Sequence, residues 1–182
     1  AQQTVMGEHI LPQRALDWVP DDAPDYLKSA ARVGVAASKL GMSYDFDAWS
    51  GFPAARARLL AAAQRADADL VVLSGDSHNA WGQNLTVDGA DAGVEFAGHS
   101  VTSPGYEKFA PQISHGEFAA AMRNANTGLV YTELARRGYV SLAITPSRID
   151  GSWHFMKTVT VRDAAVADTQ TLSVSSGGRK FS

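Results

Sequence analysis

The stretch from Pro53 to His78 constrains this chain more than any other. Pro53 opens the run Ala54-Ala55-Arg56-Ala57-Arg58-Leu59-Leu60-Ala61-Ala62-Ala63-Gln64-Arg65, which is built from strong helix formers, and a proline is tolerated at a first helical turn. Ala66-Asp67-Ala68-Asp69 ends the helix. Leu70-Val71-Val72-Leu73-Ser74 follows as a short apolar run of the kind found in a strand buried on both faces. Polar residues just past the carboxyl end of such a strand are where α/β proteins tend to place ligands. Here they are Gly75-Asp76-Ser77-His78.

The flanking sequence fills in the organisation. Ala1 to Met6 reads as a short strand, and Val19 to Gly51 as mostly irregular, with Asp21-Asp22-Ala23-Pro24-Asp25 capping a short helix from Tyr26 towards Ala37, because acidic residues favour the positive end of a helix dipole. Asp88 and Gly89 mark a turn, and Gly93 to Gly98 a strand lying next to it. Glu117 to Ala125 is a helix. Leu129 to Glu133, Tyr139 to Ile144 and Trp153 to Val161 are expected strands, with turns at Arg137-Gly138 and Asp150-Gly151. The polar tail from Ser173 to Lys180 is expected to be loosely ordered. Neither an internal repeat nor a long linker is present, so residues 1–182 read as one unit of mixed α/β character with a sheet-rich second half. A strand at Leu70 to Ser74 that is buried on both faces needs neighbours on both sides, and the front third offers few.

Composition narrows the class. The 182 residues, 45% hydrophobic and 19% charged, are those of a globular protein with one sizeable core. A net charge of -3 supplies no basic field for non-specific nucleic-acid binding. With no cysteine, thiolate metal sites, disulfides and cysteine nucleophiles are excluded from this chain. No apolar run approaches the roughly 18 residues of a membrane span.

Asp76 and His78 stand two residues apart at the tip of the strand, after a glycine that permits a sharp exit. Carboxylate oxygen and imidazole nitrogen together suit zinc, iron, manganese and, through oxygen, calcium. On residue types alone, a turn-capping Asp76 and a His78 packed under Trp81 explain the loop equally well. The wider pattern then separates the two readings. Leu70 to Trp81, followed by Val94-Glu95-Phe96-Ala97-Gly98-His99-Ser100-Val101-Thr102-Ser103-Pro104-Gly105, resembles the alkaline phosphatase D family. Further matches are Gln2-Gln3 with Val5-Met6, Asp47 to Arg56, and Arg136-Arg137-Gly138-Tyr139-Val140.

That resemblance implies part of a calcineurin-like metallophosphoesterase core, a β-sandwich flanked by helices, with metals at the strand ends. It implies a phosphoric-ester hydrolase of periplasmic or extracellular location, in which water or hydroxide activated by metal attacks the phosphorus. It implies calcium and iron as cofactors, with zinc or manganese also compatible. It assigns Asp76 and His78 as metal ligands, Asp76 standing where the wider superfamily has the first His of Gly-His-x-His. The other ligands, including a cysteine, are expected in an upstream half of the protein, so this chain alone is expected to be inactive. Asn79 is a candidate donor to a phosphoryl oxygen of the phosphate-ester substrate. No catalytic side chain is assigned.

Other candidates weigh less. His99 reads as a hydrogen-bonded structural histidine, and His9, His115 and His154 lack a second ligand nearby in sequence. Arg56 reads as a solvated helix arginine. Asn126-Thr127-Gly128-Leu129 stands where the family often has Asn-Pro-His-Leu, so a role tied to that His does not carry over. The competing class is a non-catalytic binding domain that keeps the fold without a working site. Monoesterase and diesterase activity are not separable from these residues.

Overall fold

The computed structural model describes residues 1–108 and 110–182. Two sheets form the frame. The first contains β1 (Val71–Ser74), β2 (Ala80–Val87), β3 (Ala90–Ala97) and β4 (Leu129–Glu133) in the order β1-β3-β2-β4. The second is an antiparallel meander of β5 (Gly138–Ile144), β6 (Arg148–Met156) and β7 (Val166–Ser175). Three α-helices accompany them: α1 (Asp25–Lys39), α2 (Pro53–Arg65) and α3 (His115–Ala125).

Hairpin chemistry joins β2 to β3. Val87 pairs with Ala90 across a two-residue loop, and Asp88 and Gly89 both take positive φ, 52° and 76°, the conformation that matches a hairpin turn to strand twist. β3 then pairs in parallel with β1, Val72 opposite Glu95 and Ser74 opposite Ala97. The ends of β1 and β3 therefore lie side by side, and the loops that leave them meet.

The sheets pack face to face. Ala80, Val94 and Phe96 of the first meet Trp153, Phe155 and Val174 of the second. Glycines allow the close approach: a Cβ at Gly151 would fall 2.1 Å from the Phe96 ring. Trp153 buries its indole and donates Nε1–H to the Ala97 carbonyl at 2.8 Å, tying the second sheet to the end of β3. On the other face of the first sheet, Leu60 of α2 packs with Met6, Val72, Leu85 and Val87. Phe118 and Met122 of α3 pack with Trp18, Val35, Trp81 and Leu129.

The mixed α/β character, α2, β4 and α3 follow the expectations above, and several local readings change. β1 is an edge strand with one strand neighbour, and only Val72 of its four residues is fully buried. An apolar run looks the same whether a strand or an irregular segment covers its outer edge. That edge is lined by residues 2–3, which form no regular strand: Gln2 N–H donates to Leu73 O at 2.8 Å and Gly75 N–H to Gln3 O at 3.0 Å. Within the region read as mostly irregular, the helix expected from Tyr26 towards Ala37 is present and slightly longer, as the 15-residue α1. Asp150 and Gly151 lie inside β6, not in a turn, because the chain reverses at Thr145–Arg148 (Thr145 N–H to Arg148 O, 2.9 Å). The tail is anchored: Ser173 to Ser175 are in β7, and Phe181 packs on Phe96 at 5.0 Å while its N–H donates to Asn84 Oδ1 at 2.9 Å.

A candidate metal-binding loop at the ends of two parallel strands

Residues 75–79 leave β1 at the edge of the sheet and turn back into β2. The reversal is tight enough that Asp76 and His78 both adopt left-handed backbone, φ 67° and 61°, a region that costs a non-glycine residue energy and clusters at functional sites. Both side chains are exposed. Ser77 between them is held from below: buried Trp81 donates Nε1–H to Ser77 Oγ at 2.7 Å, so the loop rests on the core of the α3 side.

The loop that leaves β3 completes the site. Ser100 N–H donates to His78 O at 3.3 Å. His78 Nδ1 lies 2.9 Å from the Pro104 carbonyl; a carbonyl only accepts, so Nδ1 carries a proton, and in the neutral form of the ring the lone pair is on Nε2. A metal-binding histidine typically donates its other ring N–H to a carbonyl or carboxylate in this way. With the exposed Asp76 carboxylate on the same loop, the donor set fits a hard or borderline cation. Among the described residues no three His, Cys, Asp or Glu side chains converge, so the loop offers Asp76 and His78 as two candidate donors and no more.

Asn79 takes a different position from its two neighbours. It is 1% exposed, and its amide donates inward to Leu134 O at 3.0 Å, leaving Oδ1 buried without a partner. Gly105 lies directly over it, with room for no Cβ: one would sit 2.4 Å from Asn79 Nδ2. In this arrangement Asn79 ties the loop to the end of β4, and a contact with substrate through its amide requires that bond to open.

His99 turns towards the second sheet. Its Nε2 faces the His154 carbonyl at 3.2 Å, its ring packs at a tilt on Phe155 with centroids 4.8 Å apart, and Nδ1 is buried without a partner. Burial holds its pKa below the ordinary imidazole value, so it is neutral, in line with the structural reading. Arg56 is not solvated. It is buried, donates Nε–H to Met6 O at 2.7 Å and pairs with Glu8 at 3.2 Å, because α2 presses it onto the amino-terminal segment.

Two residues of the site escaped the sequence reading. Glu107 receives the Gly105 N–H on both carboxylate oxygens, at 3.1 and 3.0 Å, and pairs with buried Arg137. No local signal marks that pair: its members are 30 residues apart.

Comparison with known proteins agrees with this geometry. Residues 1–153 match the PhoD-like phosphatase family. Alkaline phosphatase D of Bacillus subtilis (strain 168) is 31% identical over 147 residues, covering 74% of this chain and 22% of that protein. The solved structure of PhoD superposes with a TM-score of 0.66 at 21% identity, covering 98% of this chain and 29% of that one, and so shares the fold. The chain thus spans under a third of the length of these relatives. Two sheets packed face to face, a strained Asp-Ser-His loop at their rim and a family match across most of the sequence lead to one assignment: this chain belongs to the PhoD-like phosphatase family.

Proposed function

We propose that this chain supplies part of the active site of a metal-dependent phosphoric-ester hydrolase of the alkaline phosphatase or phosphodiesterase D type, with Asp76 and His78 as cation ligands. The observation that carries the reading is the His78 to Pro104 hydrogen bond at 2.9 Å, which leaves Nε2 as a free donor atom on the same loop as the Asp76 carboxylate. Asp76 and His78 would hold a cation, calcium or iron by family resemblance or zinc or manganese by donor chemistry, and such a cation would supply a lowered pKa for a bound water and charge neutralisation for the phosphoryl oxygens.

The chain's own residues hold and orient. Ser77, fixed by Trp81, keeps Asp76 and His78 on the outer side of the loop. Asn79 secures the loop to Leu134; we keep a phosphoryl contact through its amide as a secondary role that needs the loop to open. The remaining ligands come from the upstream half of the protein, its partner in this reading, and the 182 residues alone are inactive. The substrate is a phosphate ester, and the site operates in the periplasm or outside the cell, as the family resemblance indicates. Among the described residues no helix is long and apolar enough to cross a membrane.

The test is elemental analysis and chromogenic phosphate-ester hydrolysis of the protein with its upstream half, with and without chelator, in wild type and in Asp76→Ala and His78→Ala. Loss of bound metal and of chelator-sensitive hydrolysis in both variants is expected. Chelator-insensitive hydrolysis, or full metal content in both variants, refutes the reading, and a wild-type protein that binds no metal beside its upstream half favours the non-catalytic domain.

A further inference from the structure

The peptide group between Pro104 and Gly105 is held at both of its polar ends. Its carbonyl accepts from His78 Nδ1 at 2.9 Å. Its N–H donates to the Glu107 carboxylate, 3.1 Å from Oε1 and 3.0 Å from Oε2. Glu107 is paired in turn with Arg137 Nη2. The Arg137 guanidinium is 7% exposed, and its Nη1 donates to the carbonyls of Ala135 and Arg136 at 2.9 Å each.

We infer that Glu107 and Arg137 are positioning residues for His78: they select the orientation of the Pro104–Gly105 peptide, and through it the imidazole tautomer that leaves Nε2 free for a cation. This rests on the reading of His78 as a ligand.

The physical reason is the rigidity of one peptide unit. The group is planar, so its C=O and N–H point in opposite directions and rotate together. Gly105 follows it, and glycine opposes a flip of that peptide less than any other residue. Flipped, the group would present its N–H to His78. Nδ1 would then have to accept, the proton would move to Nε2, and no lone pair would remain on the outward side. A carboxylate on the peptide N–H opposes the flip, because the flip would leave it facing a carbonyl oxygen. It also polarises the peptide and strengthens the carbonyl as an acceptor. Arg137 keeps that carboxylate in place with a planar fork anchored on two carbonyls. Asn79, packed under Gly105, limits how far the turn can sink.

The experiment uses the full-length protein with Glu107→Ala, Glu107→Gln, Arg137→Lys and His78→Ala. In the metal-free state, at a pH above the ordinary imidazole value of about 6.5, the nitrogen-15 shifts of the His78 ring report which nitrogen is protonated. Wild type is expected to show Nδ1–H, and Glu107→Ala a shift towards Nε2–H. Binding of Mn²⁺ or Zn²⁺ is expected to weaken about 10- to 100-fold in Glu107→Ala. Glu107→Gln, whose amide oxygen still accepts, is expected to lie between the two, and this milder variant decides the matter if Glu107→Ala does not fold. A wild-type tautomer with affinity within about twofold of wild type in the Glu107 variants overturns the inference. Unchanged cation content in His78→Ala instead overturns the ligand reading on which it rests.

Discussion

Glu95, a carboxylate with no exposure to solvent, accepts the backbone N–H of Met6 at 2.7 Å across 89 residues of sequence. Its second oxygen takes the Gly7 N–H at 2.7 Å, and Ser74 Oγ donates to the first at 2.7 Å. Met6 is gripped at its other end by Arg56 Nε–H, 2.7 Å from its carbonyl. The residues before it run along β1 and capture the N–H of Gly75, the first residue of the candidate metal loop. One buried carboxylate in β3 thus fixes a segment that borders the site.

Glu95→Gln should show how much depends on that anchor. The amide nitrogen it introduces would face a backbone N–H, and a buried donor without an acceptor costs about 1–3 kcal/mol. Urea unfolding should register that loss, with faster hydrogen exchange at the Gly75 amide. An unchanged midpoint would show that the segment is held without Glu95.

His9 should make stability depend on pH. Its ring is 3% exposed, packs at a tilt against Trp81 with centroids 4.2 Å apart, and accepts the Gln83 amide at Nε2. Burial lowers its pKa to about 4. Above the ordinary value of about 6.5 neither folded nor unfolded His9 is protonated, and stability is full; as pH falls from there the unfolded chain takes up a proton that the folded chain refuses, until both are protonated below about 4. About 3 kcal/mol should be lost across that window. Denaturant midpoints from pH 7 to 4, in wild type against His9→Phe, isolate this contribution: the difference between the two curves should shrink on acidification.

Asp76→Gly should gain stability while losing metal. At φ 67° the Asp Cβ is strained, and glycine relieves that at the cost of a more flexible unfolded chain, a net gain of about 0.5–1 kcal/mol. Urea titration in chelator measures the first effect and elemental analysis the second. A destabilised variant would mean that the Asp76 side chain holds the loop by itself.

Gly151→Ala probes the seam between the sheets. The added methyl would sit 2.1 Å from the Phe96 ring, and overpacking of this kind costs about 1–3 kcal/mol. Thermal unfolding should show it, and Phe96→Leu in the same background should restore part of the loss.

α2 was legible in the sequence because Pro53 and the alanine-rich run carry their own helix preference, and the Asp88-Gly89 turn because two left-handed residues need those residue types. The residue types at Asp76 and His78, the candidate donors, stand in the sequence itself, with the family pattern around them. β2 was not, since Gly82, Gln83 and Asn84 break its apolar alternation, and Gly82 and Gln83 are buried in pairing with β4, more than 40 residues on. Nor was the true edge position of β1, because an apolar run records burial and not what covers it. The site divides along the same line. Sequence determined which donors stand on the loop. Tertiary structure decided that His78 has a carbonyl 26 residues away to accept its Nδ1–H and that Glu107 and Arg137 hold that carbonyl's peptide, since hydrogen bonds between distant segments leave no periodicity for a sequence to show.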